Sequence, residues 1–174
     1  MAIRFGRKGL GAVLLAMLSP LVVGANSFSG DFNARVLASH NLERERLGIA
    51  PLAWDARLAE SAQRWANYLA ATGRFEHAPN GQWSPQGENL WAGTRGYYSP
   101  EAMVDGWVRE KRHFRQGRFP DNSLTGNVED VGHYTQLVWR DTNRVGCARA
   151  SSGTEDILVC RYLHAGNYVG ERPF

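Results

Sequence analysis

Cys147 and Cys160 stand symmetrically about Gly153 and Thr154, and no other feature restricts the fold of this chain as tightly. Residues 144–150 and 157–163 both read as strands, and the Ser-Ser-Gly-Thr stretch at 151–154 has the composition of a turn. A hairpin folded at that turn sets the two cysteines opposite each other. Opposed residues on antiparallel strands have the short Cβ separation that a disulfide needs. The chain has two cysteines, so one bridge uses both.

A disulfide requires an oxidising compartment, and the start of the chain supplies an address for one. Arg4, Arg7 and Lys8 precede an apolar run from Leu10 to Val23, and small residues follow at Gly24 and Ala25. This pattern reads as a secretory signal peptide over residues 1–25, with one domain over residues 26–174. The expected location is secreted, or periplasmic in a Gram-negative source. The apolar run is short of the about 20 residues a membrane helix needs, so no integral span is expected after cleavage. The full chain carries 20 Lys+Arg and 17 Asp+Glu. Removing the three basic residues of the leader leaves 17 of each sign, so charge gives no case for a nucleic-acid partner.

Helical signals come first along the chain. Residues 31–48 read as a helix, with Phe32, Val36 and Leu47 near helical spacing and Gly48 as a stop. Asp55 caps a second helix running to about Gly73, with Leu58, Ala62, Trp65, Ala66 and Leu69 on one apolar face. Residues 77–96 read as a long loop. Ser99, Pro100 and Glu101 open a third helix, and residues 115–130 form another polar loop. Strands are expected at 136–139, 144–150 and 157–163. Helices followed by strands in one domain predict an α+β fold.

Residues 132–139, Gly-His-Tyr-Thr-Gln-Leu-Val-Trp, crowd polar side chains against apolar ones, which reads as the edge of a site because buried polar groups need partners. Glu110 stands out on the third helix. It lies three residues after Trp107 and four before Phe114, on the apolar face marked by Met103. A carboxylate there is either solvated at the rim or partly buried with partners.

The 132–139 segment resembles a signature of the CAP superfamily (cysteine-rich secretory proteins, antigen 5, pathogenesis-related 1). A second signature has its likeness at residues 158–168, Leu-Val-Cys-Arg-Tyr-Leu-His-Ala-Gly-Asn-Tyr. The likeness covers essentially all of residues 31–174. It implies a three-layer α-β-α sandwich with a small antiparallel sheet. It also implies a central cleft where two histidines and two glutamates converge. These match His77, Glu88 in Gly87-Glu88-Asn89, Glu110 and His133. His77 and His133 are then the expected ligands of a weakly held divalent ion, Zn²⁺ first, with the glutamates orienting the imidazoles or holding water. Asn89, Tyr134 and Gln136 are expected to line the cleft. Ala78 stands where relatives often have serine, which removes the nucleophile of protease proposals for the family.

Other residues have plainer readings. His40, Asn41 and Arg44 are expected to form internal hydrogen bonds. His113 is expected to be solvated or packing, and His164 to lie at a surface turn. Trp54, Trp65, Trp107 and Trp139 read as core. Trp83, Trp91, Tyr97 and Tyr98 read as loop aromatics able to meet a ligand. The leading expectation is a secreted, non-enzymatic binding protein for a small hydrophobic molecule, a sterol or fatty acid, with a defence- or surface-related role. A metal-assisted extracellular hydrolase and a wall-associated adhesion module are the alternatives.

Overall fold

The computed structural model describes residues 26–79 and 86–174; the signal peptide expected over residues 1–25 and Trp83 lie outside them. The first helix, α1 (Asn26–Arg46), begins five residues earlier than its sequence pattern indicates. Gly48, at φ +67, turns the chain after it. A two-residue strand, β1 (Ala53–Trp54), leads into α2 (Ala56–Thr72). Asp55 caps α2 by accepting from the N–H groups of Arg57 and Leu58, and left-handed Gly73 ends it. Next come β2 (Gly87–Thr94) and α3 (Pro100–Val108), which Ser99 caps and a 3-10 turn over Arg109–His113 extends. After α4 (Gly132–Leu137), the hairpin of β3 (Arg144–Ser151) and β4 (Glu155–Leu163) completes the fold.

The sheet order is β1-β3-β4-β2, with β1 parallel to β3 and the other pairs antiparallel. The hairpin has the expected register: Cys147 faces Cys160, and a disulfide joins them. Helix α2 covers one face, over a cluster of Ala62, Ala66, Leu69, Leu90 and Val159. Helices α1, α3 and α4 cover the other, around Val36, Met103, Trp107, Leu137 and Tyr162. This is an α+β sandwich of three layers.

Two expectations are corrected. Residues 136–139 are not a strand: 136 and 137 end α4, and 138 and 139 follow it. The Glu110 carboxylate accepts from the first N–H groups of that short helix, at His133 and Tyr134. A tertiary contact thus satisfies helix-end donors that local sequence leaves open. The 77–96 stretch is not loop throughout, because β2 lies within it. Its apolar triplet Leu90-Trp91-Ala92 pairs along the whole of its length with β4; the flanking Gly and Asn residues masked that pattern in the sequence.

Candidate functional site

Strand β2 is an edge strand, so successive side chains project to opposite faces of the sheet while its outer rim stays open. Glu88 points to the α2 face, where it is paired across the ladder with Arg161. One carboxylate oxygen of Glu88 accepts from the His77 Nδ1–H at 2.6 Å and from the Ala78 N–H at 3.2 Å. A carboxylate can only accept, which places the imidazole proton on Nδ1 and the lone pair on Nε2. His77 itself is held on the segment after α2, which Trp65 ties down by donating its indole N–H to the Glu76 carbonyl at 3.1 Å.

The other carboxylate oxygen of Glu88 lies 2.8 Å from an Arg161 guanidinium nitrogen. This contact is an ion pair without the alignment of a hydrogen bond, and Arg161 Nε has no hydrogen-bond partner among the described residues. Burial lowers the Arg161 pKa from its ordinary value, and the neighbouring Glu88 charge opposes that shift. Arg161 was not singled out from sequence. Its alternation with Ile157 and Val159 on one face of β4 was a readable sign of a buried charge.

The second half of the site comes from the opposite helical layer. His133 opens α4 and donates its Nδ1–H to Glu110 at 2.6 Å. Its ring lies nearly parallel to that of Trp107, with centroids 6.1 Å apart. Trp107 in turn donates to the Leu90 carbonyl of β2 at 3.0 Å. Asn89, on the α1 and α3 face, donates to the His133 carbonyl and to the Tyr162 hydroxyl. That hydroxyl meets His40 Nε2 at 2.8 Å, and His40 Nδ1 meets the Val36 carbonyl at 2.8 Å. A continuous chain of hydrogen bonds therefore links α1 to the His133 backbone.

A cavity of about 390 Å³ joins the two halves, with His77, Glu88, Asn89 and His133 on its walls. Phe75, Leu90, Phe119 and Val128 add an apolar side that sequence reading did not identify. Glu110 stands behind His133. Tyr134 and Gln136 do not line this cavity, contrary to expectation: both are buried. Tyr134 donates to Glu43, and Gln136 bonds Thr142 and the Gly166 N–H. Trp91 is likewise placed elsewhere. It packs against the α1–α3 core over Gly93 and Gly106, where a Cβ would meet its ring. Tyr98 meets the edge of Trp91, and Tyr97 and Tyr98 sit on the exposed turn after β2.

The remaining histidines and tryptophans are also placed. His40 and Arg44 are fully buried in internal networks; Arg44 donates to the carbonyls of Ala50, Leu137, Trp139 and Thr142. Asn41 exchanges two hydrogen bonds with the Leu52 backbone. His113 is half-buried and His164 exposed. Trp107 and Trp139 are core, while Trp54 and Trp65 are partly buried against it.

Two imidazoles with Nδ1–H committed to carboxylates leave two Nε2 lone pairs, which is the donor set of an open metal site. It is not a closed one. Among the described residues, the group of three His, Cys or acidic side chains with ligand atoms within 4.8 Å of one another is His40, Cys147 and Cys160. Those sulfurs are spent in the disulfide and both His40 nitrogens are engaged, so that group holds no ion.

The family model of the cysteine-rich secretory protein family (CAP) matches residues 37–162. Pathogenesis-related protein 1A of Nicotiana tabacum is 38% identical over 139 residues, 79% of this chain and 78% of that protein. Pathogenesis-related protein 1 of Arabidopsis thaliana is 35% identical over 165 residues, 93% of each. Among solved structures, NaASP2 with Zn²⁺ superposes with a TM-score of 0.70 at 22% identity, covering 81% of this chain and 83% of that one. BmVAL-1 also gives 0.70, at 23% identity, covering 91% and 84%. Both structural likenesses speak to the fold. Among the described residues, no helix is long and apolar enough to cross a membrane.

Proposed function

The chain belongs to the cysteine-rich secretory protein (CAP) family, and on that premise we propose that residues 26–174 act as one exported domain, freed of a signal peptide, that binds rather than transforms its ligand. His77 and His133 hold a divalent cation through Nε2, Zn²⁺ first, with Glu88 and Glu110 fixing the tautomers and water completing the shell. The apolar wall of Phe75, Leu90, Phe119 and Val128 takes the hydrophobic part of a small ligand. The role is defence- or surface-related, as the names of the pathogenesis-related relatives suggest.

The observation that carries this reading is the matched pair of 2.6 Å contacts from His77 and His133 Nδ1 to Glu88 and Glu110. Each leaves one imidazole lone pair on the side away from its carboxylate. A structural neighbour solved with Zn²⁺ adds support. The residues described as lining the cavity carry no hydroxyl or thiol nucleophile, and Ala78 follows His77, which favours binding over covalent catalysis.

Titration calorimetry of the mature protein with Zn²⁺ tests the metal. Saturable heat at neutral pH is expected, lost in His77→Ala/His133→Ala and weakening as protons compete for the imidazoles. Equal heat from wild type and the double variant overturns the assignment. Failure to retain any sterol or fatty acid after incubation and gel filtration removes the hydrophobic ligand and leaves the metal site.

A further inference from the structure

A second set of metal-type ligands lies in the core, apart from the β2 cavity. Cys147 and Cys160 face each other across the β3–β4 ladder and are joined. His40 of α1 packs over them. One ligand atom from each of the three residues lies within 4.8 Å of the other two. All three residues are buried, in a core shared with Val36, Val145, Leu158 and Tyr162. Sulfurs bonded to each other carry no charge, so the oxidised group takes no ion.

Reduction changes that donor set. A trialkylphosphine takes oxygen from water and becomes its oxide, while the S–S bond breaks and each sulfur takes up one proton. Sulfurs no longer bonded must part. A tetrahedral Zn²⁺ site asks for about 3.8 Å between two sulfurs and about 3.6 Å between sulfur and imidazole nitrogen. Both spacings fall inside the 4.8 Å that already encloses the three ligand atoms. Pairing of β4 with both β3 and β2 holds the backbone in register while the side chains rotate. His40 is oriented as a ligand in advance. Its Nδ1 bonds the Val36 carbonyl at 2.8 Å, which leaves the Nε2 lone pair to the Tyr162 hydroxyl. When Nε2 turns to an ion, that hydroxyl keeps its bond from Asn89. Charge selects the ion. Two thiolates and a neutral imidazole cancel a divalent cation, so no net charge enters the core. A monovalent cation would leave one negative charge buried.

We propose that reduction of the Cys147–Cys160 disulfide opens a second metal site, in which Cys147 Sγ, Cys160 Sγ and His40 Nε2 hold one Zn²⁺. Two S–Zn bonds form as the ion binds, and the two thiol protons leave to solvent. The same cysteines are a covalent staple in an oxidising compartment and a ligand pair in a reducing one.

The probe is Co²⁺, added to a protein spanning residues 26–174 that carries His77→Ala/His133→Ala, so that the β2 cavity contributes nothing. The chain is reduced with the phosphine in urea and refolded without oxygen. A thiolate-to-cobalt charge-transfer band is expected in the near ultraviolet. It saturates at about one ion per chain and is bleached by Zn²⁺. The unreduced protein shows no such band. Adding His40→Gln weakens Co²⁺ binding about tenfold or more. Far-ultraviolet circular dichroism follows the fold: Co²⁺ either finds the reduced chain folded or folds it. No charge-transfer band in the reduced chain, equal affinity with His40→Gln, or a band from a chain that stays unfolded with Co²⁺ overturns the proposal.

Discussion

His40 shows how a single buried residue fixes its own chemistry. The Val36 carbonyl can only accept, so His40 Nδ1 carries the proton and Nε2 accepts from the Tyr162 hydroxyl. A second proton, on Nε2, would take away the acceptor of the Tyr162 hydroxyl, and burial lowers the pKa from 6.5 to about 4, with the Arg44 charge adding to the effect and the Val36 bond opposing it. The unfolded chain binds that proton at a higher pH than the folded one. The stability from neutral His40 is thus complete above pH 6.5 and is lost as pH falls through the window toward 4. Between pH 7 and pH 4, wild type should lose about 3 kcal/mol more than His40→Gln, by urea denaturation at each pH. Parallel loss in the two proteins contradicts this. The internal roles of His40, Asn41 and Arg44 were legible in the sequence because polar groups on a packed helix face need partners. Arg161 escaped, because its counter-charge lies on another strand, 73 residues away. Trp91 was misplaced because a tryptophan beside glycines looks like a loop aromatic, whereas Gly93 and Gly106 here make room for its ring against the core.

At the scale of elements, the hairpin was the most readable part of the fold. Turn composition and cysteine placement are local, and together they set the register that pairs Cys147 with Cys160. The bridge closes a short loop within a pairing that β2 and α2 also support. Cys147→Ser/Cys160→Ser should therefore fold with the same topology and lose roughly 3 kcal/mol at most. Denaturant midpoints measure the loss, and hydrogen exchange at Ala148 and Ala150 checks that the strand persists. Complete loss of exchange protection in the variant at low temperature contradicts this. Helix α4 and strand β2 were the least readable elements. Each is defined by a partner distant in sequence: the Glu110 carboxylate for α4 and the β4 ladder for β2. Local propensity carries little information about such elements.

Over the whole molecule, the site exists because an edge strand divides its side chains between two helical layers. Glu88 belongs to the α2 layer with His77; Asn89 belongs to the α3 and α4 layer with His133 and Glu110. The cavity opens where these layers meet along β2. Glu110 stood out by its place on an apolar helix face, and family likeness named His77, Glu88 and His133 beside it. Their pairing, His77 with Glu88 and His133 with Glu110, is a property of the folded chain, as are the apolar wall and the buried arginine behind it. We propose that both imidazoles, held through Nδ1 by Glu88 and Glu110, share an ion through Nε2. Long-range ¹H–¹⁵N spectra of the five histidines in a protein spanning residues 26–174, recorded near pH 7.5 during titration with Zn²⁺, test it most directly. His77 and His133 should show protonated Nδ1 before metal is added, then Nε2 shifts that saturate together. His40, His113 and His164 should stay unchanged. Shifts confined to those three histidines, or no shift at any histidine at millimolar Zn²⁺, contradict the claim.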